Sequence, residues 1–371
     1  MAEPRIPLAL PDLSGNEERY VLEALRAGWI SSKGAFVGRF EAEFAAMTGS
    51  SHALAVCNGT SALHLALLGL GIGAGDEVIV PSLSFVATAN AVRYVGAEPV
   101  FIDIDPATWC IDPLAIAGKV SPRTKAIIPV HLYGHPADMD SINAAAAAHG
   151  LWVVEDSAQA FGATYKGAPA GGLGHVGAFS FYGNKIITSG EGGAVTTDDQ
   201  ALHDRMALIR GQGMDPDRRY FFPIVGYNFR PTNIGCALLC AQIERAEAIL
   251  AARRRVFDAY AERLAGVAGL GLQPVAPNVT IAPWLFSVTV DPNGFGRPRD
   301  RVMADLDARG IETRPFFIPI HSLPPYRERA QRQGADLPET DRLAASGLNL
   351  PTWPGLSDDE VSRVCDALLN P

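Results

Sequence analysis

Between residues 52 and 200 short apolar runs alternate with longer helical patterns, and this alternation constrains the fold more than any other feature of the chain. "HALAVC" precedes "TSALHLALLGLG", and "DEVIVP" precedes "SFVATANAVRYVG". "PVFIDI" leads through "IDPLAIAGKV" to "KAIIPVHLYG", after which "MDSINAAAAAHG" reads as helix and "LWVVED" as strand. "AFSFYG" and "GAVTTD" close the series, the second a candidate to run antiparallel. Strands that are apolar throughout, rather than at every other position, are expected where helices cover both faces of a parallel sheet. The pattern predicts an α/β fold, a three-layer sandwich around a mostly parallel central sheet.

From Thr232 onward "NIGCALLCAQIERAEAILAARRRVFDAYAERLAG" reads as one long helix. It leads into "PWLFSVTV", "RDRVMADLDARG" and "IETRPFF", the pattern of a smaller α+β unit. The last helix, within "GLSDDEVSRVCDALL", has Ser357 as its cap and acids in its first turn. At 371 residues the length alone suggests two or three domains. The expected division is a large domain with an N-terminal arm over 1–245 and a small domain over 246–371.

Composition excludes several classes. A formal charge of −9 without a basic block argues against a nucleic-acid partner. The densest basic run, Arg253 to Arg255, continues the helical pattern from Gln242 and reads as a solvated helix face. No apolar stretch is long enough to span a bilayer and the N-terminus lacks the core of a signal peptide, so a cytoplasmic protein is expected. The five cysteines form no C-x-x-C. Cys236 and Cys240 are spaced to share a helix face as half a metal site, but their apolar neighbours favour buried thiols. No disulfide and no metal are expected.

One residue resists this picture. In "FSFYGNKIITSGEGG", residues 179 to 193, Lys185 lies between an apolar run and a glycine cluster, where an unpaired charge is costly to bury. Either it reaches solvent or something in the interior uses its amine. Three other features fall at the carboxyl ends of strands, where open α/β sheets bind ligands. In "CNGTSALHL" a glycine turn and Thr60–Ser61 open a helix, which makes either an ordinary cap or a site for an anion. In "VVEDSAQAFGA" Asp156 ends a buried strand, as a helix cap or as the partner of a cation. In "AFSF" Ser180 sits between aromatics on the strand leading to Lys185. Singly each is ambiguous. An anion cup, a buried acid and an interior lysine together are what pyridoxal 5′-phosphate requires: the lysine condenses with the aldehyde, the acid holds the pyridine nitrogen protonated, and the cup takes the phosphate.

The motifs "NGTSALHLAL", "GDEVIVPSLSFVATANAV", "EDSAQAFGATYKG", "FSFYGNKIITSGEGG" and "GYNFRPTNIGCAL" resemble the sugar aminotransferases of the DegT/DnrJ/EryC1/StrS group, and the likeness runs over nearly the whole chain. The resemblance implies an aspartate-aminotransferase-like architecture, the type I fold of pyridoxal-phosphate enzymes. It implies Lys185 as the condensing lysine, Asp156 at the ring nitrogen, Gln159 at the ring hydroxyl and Phe85 stacked on the ring. Gly59, Thr60, Ser61 and Ser180 would hold the phosphate, and Asn228 would reach the phosphate of a neighbouring subunit in a homodimer with shared active sites. "YNFRP" stands where the group usually has "YNYRM", which places Pro231 at a helix entrance without touching a cofactor residue. The segments "RGQGMDPDRRYFFPIVGYNFR" and "FFIPIHSLPPY" most resemble the branch that aminates C4 of a GDP-linked 4-keto-6-deoxy-mannose with L-glutamate as donor, in lipopolysaccharide O-antigen synthesis. A UDP- or dTDP-linked ketosugar is the alternative substrate, and a non-catalytic regulator of the same fold a remote one. Arg219 and Tyr220 suit a nucleoside diphosphate-sugar, or else belong to an exposed loop. Ser31 in "GWISSKG" is placed at the substrate cleft by the resemblance. His321 either contacts the sugar or is satisfied by backbone.

Overall fold

The computed structural model describes residues 4–370. Its central sheet has seven strands: β1 (His52–Val56), β2 (Glu77–Pro81), β3 (Glu98–Ile102), β4 (Thr124–Ile127), β5 (Trp152–Asp156), β6 (Val176–Ser180) and β7 (Gly193–Thr197). They lie in the order β1-β7-β6-β5-β4-β2-β3. All neighbours pair in parallel except β7, which runs antiparallel to β1 and β6 on either side of it. Successive strand residues enter opposite cores: Ala53 and Ala55 join one apolar cluster, Leu54 and Val56 the other. That two-sided burial is why the strands read as unbroken apolar runs.

On one face lie α1 (Glu17–Arg26), α2 (Ala35–Thr48), α5 (Met139–His149) and α7 (Asn233–Glu244), with Phe40, Phe44 and Leu239 packed against Phe179 and Phe181. On the other lie α3 (Gly59–Gly69), α4 (Ala87–Tyr94) and α6 (Gln200–Arg210), burying Leu65, Val92 and Met206 over Val78 and Val80. The layered α/β sandwich expected from the alternation is therefore present.

The long helix expected from Thr232 is two helices. Thr232 does cap the first, accepting from the Gly235 N–H at 3.0 Å. The chain then breaks at Arg245 (φ −113°, ψ 8°), between α7 and α8 (Ala246–Leu264). At this break the Arg245 guanidinium holds Asp12 at 2.9 Å and Ser14 at 2.6 Å in the N-terminal arm. The solvated face expected for the Arg253–Arg255 run is also corrected. Arg253 is buried, and its Nη1 donates to the carbonyls of Trp284 (2.9 Å) and Thr352 (3.2 Å). Burial among carbonyls with no carboxylate contact brings its pKa down to about 10. Arg254 binds the Ile281 carbonyl, and only Arg255 pairs at the surface, with Asp358.

Beyond α8 a four-stranded antiparallel sheet forms from β8 (Leu270–Leu272), β9 (Phe286–Val290), β10 (Arg314–Pro315) and β11 (Gly347–Leu350), in the order β8-β9-β11-β10. It shares a third apolar cluster with α8 and the last helix, Asp358–Leu369, and Ile6 of the N-terminal arm joins that cluster. Ser357 caps the last helix in a reciprocal box with Glu360, as its sequence leads one to expect.

Candidate active site

Strands β1 to β6 all point the same way and deliver their carboxyl ends to one edge of the sheet. After β1, Asn58 caps α3 by accepting from the Ser61 N–H at 2.9 Å. The Ser61 hydroxyl lies 3.2 Å from the Cys57 thiol, so both groups of Ser61 are engaged within the turn. The N–H groups of Gly59 and Thr60, in the first turn, have no helical acceptor and stand at the positive end of α3, where an anion is favoured. Ser180, the last residue of β6, closes against this turn. A Cβ on Gly59 would stand 2.7 Å from the Ser180 Cβ, so the close approach of cup and strand requires glycine.

After β5, Asp156 is 5% exposed. Its Oδ2 accepts from the Thr88 hydroxyl at 2.7 Å and its Oδ1 from the Ala158 N–H at 3.2 Å. Burial pushes its carboxyl above the usual range, while the Thr88 bond, the Ala158 N–H and the charge of Lys185 act against that shift. Gln159 is buried, and its Oε1 accepts from the Tyr133 N–H at 2.8 Å, which turns the amide NH2 outward as a donor.

Behind Asp156 the chain is held by a second buried acid. Glu155 accepts from the N–H groups of Gly171 (2.7 Å), Leu173 (2.7 Å) and Gly174 (2.6 Å), and sits 2.9 Å from His131 Nε2. His131 Nδ1 accepts from the Ala137 N–H at 3.1 Å, which fixes the ring proton on Nε2, donating to Glu155.

Lys185 lies in the connection from β6 to β7. Its Nζ is 4.0 Å from the centre of the Trp284 ring, whose Nε1–H donates to the Asn184 carbonyl at 2.8 Å. Burial is the largest cause that brings the amine down to about 7, Asp156 opposing the shift and Arg314 adding to it. Lys185, Gln159, Ser180, Phe161 and Trp284 line one small cavity of about 10 Å³. Tyr133 (φ +50°) stacks on Phe317 at 5.5 Å and lies 6.3 Å from Trp284, continuing the aromatic wall. A non-glycine residue in this left-handed conformation costs about 1–3 kcal/mol and is held only by its surroundings.

Of the residues singled out in the sequence, Gly59, Thr60, Ser180, Asp156, Gln159 and Lys185 come together at this edge. Phe85 stands just before α4, 57% exposed, with its ring 5.9 Å from Phe317. His321 is tied inward: Ser82 Oγ accepts from its backbone N–H (3.0 Å) and lies 2.8 Å from its Nδ1. Ser31 uses its carbonyl to accept from the Asn233 N–H. Arg219 lies over the Tyr220 ring, and Tyr220 is 72% exposed, in a loop that contacts itself. Asn228 is exposed, beside its bridge partner Gly211. Sequence reasoning missed Thr88, Tyr133 and Trp284. Thr88 alone left a trace, one turn after Ser84 in "SFVATAN", the two hydroxyls meeting at 3.0 Å.

The donor set fits pyridoxal 5′-phosphate. Its N–H groups at the start of α3 would suit a phosphate, the buried carboxylate of Asp156 a protonated ring nitrogen, and the Lys185 amine, lowered to about 7, an aldehyde. Residues 11–369 match the family described as the DegT/DnrJ/EryC1/StrS aminotransferase family. The chain belongs to that family. This aminotransferase is 51% identical to the GDP-perosamine synthase of Caulobacter vibrioides, over 98% of both chains. It is 42% identical to that of Escherichia coli O157:H7, over 98% of this chain and 97% of the other. The solved structure of S. venezuelae DesV in complex with ketimine intermediate superposes with a TM-score of 0.92 at 38% identity, covering 99% of this chain and 98% of DesV. Among the described residues of this aminotransferase no helix is long and apolar enough to cross a membrane, and no cluster of His, Cys, Asp and Glu is arranged to hold a metal ion.

Proposed function

We propose that this aminotransferase binds pyridoxal 5′-phosphate and moves the amino group of L-glutamate to C4 of GDP-4-keto-6-deoxy-D-mannose, giving GDP-perosamine and 2-oxoglutarate. The 51% identity over 98% of both chains with a GDP-perosamine synthase carries the choice of sugar. The edge of the sheet carries the chemistry. Gly59, Thr60 and Ser180 cradle the phosphate, and Asp156 keeps the ring nitrogen protonated. Gln159 donates its amide to the ring oxygen, and Phe85 covers one ring face. When bound, the cofactor supplies an aldehyde that takes up the migrating nitrogen and a ring that accepts an electron pair. Lys185, its amine lowered to about 7, is matched to take a proton from the donor carbon and return one to sugar C4 at neutral pH.

Asn228 and the exposed Phe221, Phe222 and Val225 support a homodimer in which this segment completes the partner subunit's site. Ser31, Arg219, Tyr220 and His321 are assigned to the nucleotide sugar. The small unit from residue 246 forms the wall opposite the sheet, and the protein works in the cytoplasm. The test is incubation of the enzyme with glutamate and a panel of GDP-, UDP- and dTDP-linked 4-keto-6-deoxy sugars, reading the aminated product by mass. Amination of the GDP-linked sugar is expected. Turnover confined to UDP- or dTDP-sugars would overturn the substrate, and turnover of none would overturn the reaction.

A further inference from the structure

Trp284 holds the turn that carries Lys185 at two points. Its ring centre lies 4.0 Å from Nζ, and its Nε1–H donates to the carbonyl of the preceding residue, Asn184, at 2.8 Å. Trp284 comes from the other sheet, two residues ahead of β9, and is only 2% exposed. Its own backbone is pinned on both sides. The Trp284 N–H donates to the Ala282 carbonyl at 2.8 Å, and the Ala282 N–H to the Gly134 carbonyl at 2.9 Å. The Trp284 carbonyl accepts from Arg253 Nη1 at 2.9 Å. That contact gives the buried guanidinium of α8 a task, as a fixed donor to the residue that meets the lysine. Tyr133 stacks with the indole, its ring 6.3 Å away and inclined by 22°.

Filling the core does not require both contacts at once. An ammonium over an indole is attracted by the negative face of the ring. An indole that donates its N–H is polarised by that bond, which strengthens the attraction. The charged groups around the amine do not supply the same hold. Asp156 favours the ammonium and Arg314 disfavours it, and the Asp156 oxygens already accept from Thr88 and Ala158. We propose that Trp284 is the positioning residue of Lys185, its ring holding the amine whenever that amine is free and its N–H fixing the turn beside it. The inference rests on the reading of Lys185 as the lysine that moves protons. Such a lysine is free for part of each cycle, and its flexible four-carbon stem would then let the amine wander. The hold is strongest while the amine carries a proton, the stage at which losing its place would lose that proton to water.

Lys185 is half-buried, so a small reagent reaches its amine. In the cofactor-free protein the rate at which cyanate carbamylates Lys185, read by peptide mass spectrometry against pH, reports the pKa of that amine. Fluorinated tryptophans placed site-specifically at position 284 drain charge from the ring face and keep its shape. The pKa is expected to fall stepwise, by about half a unit to one unit over the series. A role in packing alone leaves it in place, so an unmoved pKa would overturn the proposal. In the Trp284→Leu holoenzyme, followed by cofactor absorbance, kcat is expected to fall about tenfold in both half-reactions, because one lysine serves both. The KM values for L-glutamate and for the aminated nucleotide sugar are expected to stay within about twofold. Trp284→Phe, which keeps a ring face, is expected to recover part of the lost kcat. A loss confined to one half-reaction, or carried in KM, would make Trp284 a substrate contact and overturn the assignment. A protein that shows the pKa shift but reacts with neither glutamate nor amino sugar would uphold the hold on Lys185 and remove the transaminase reading instead.

Discussion

Replacing Thr88 by valine, its near isostere, removes a single hydroxyl from the deepest part of the site. Thr88 is fully buried and Asp156 nearly so, so water cannot take the place of the lost donor. The hydroxyls form a chain, with Thr88 donating to Asp156 at 2.7 Å and Ser84 lying 3.0 Å behind Thr88. A hydrogen bond to a charged group contributes about 1.5–3 kcal/mol, and a stranded buried hydroxyl costs about 1–3 kcal/mol. Because Ser84 can rotate toward other acceptors, a total loss of about 2–4 kcal/mol is expected in urea unfolding of the cofactor-free protein at pH 8. Acidity should shrink it. The folded carboxyl of Asp156 already lies above its ordinary value, and without Thr88 it lies higher still. As pH falls the variant therefore takes up its proton first, and a neutral carboxyl has less need of a donor. Thr88→Ser should stay near wild type. A Thr88→Val protein equal in stability to wild type at pH 8, or one whose deficit stays constant down to pH 5, would refute the argument.

Three further outcomes are expected. In Gly59→Ala the new methyl collides with Ser180, so phosphate and pyridoxal 5′-phosphate should bind about tenfold more weakly in equilibrium dialysis; unaltered affinity would mean the α3 turn is not the cup. Lys185→Met should stabilise the cofactor-free protein near pH 7. The folded amine near 7 lies below its unfolded value of 10.5, so wild-type stability rises between those two pH values and the advantage of the variant fades by about pH 10.5; a pH-independent difference would contradict the buried amine. Ser357→Ala should lower stability by about 1 kcal/mol through loss of the cap bond to the Glu360 N–H at 3.2 Å, read by thermal unfolding, and an unchanged transition would show that helix to be held by packing alone.

What could be read in the chain before its structure divides along a physical line. The strands and the positions of Asp156 and Lys185 were legible because burial on two faces leaves a local mark, an unbroken apolar run ended by a polar residue. The break at Arg245 left no such mark, and the partners its side chain meets there, Asp12 and Ser14, lie more than two hundred residues away. Arg253 was misjudged for the same reason: a charged residue in a helical pattern reads as solvated until carbonyls from residues 284 and 352 are seen to surround it. Thr88, Tyr133 and Trp284 are ordinary core-type residues by composition. Their part in the site is a matter of which strand end they meet.

The antiparallel β7 has a consequence for how the protein comes into being. β1 is made first, yet its only neighbour in the sheet is β7, which is made last. Until residue 197 has left the ribosome, the strand that carries the phosphate cup has no ladder to join, while β2 to β6 can already assemble. The hairpin holding Lys185 is thus the clasp of the sheet. Its return strand seats β1 and brings Gly59 against Ser180 in one event, so cup and lysine meet only when the large sheet is complete.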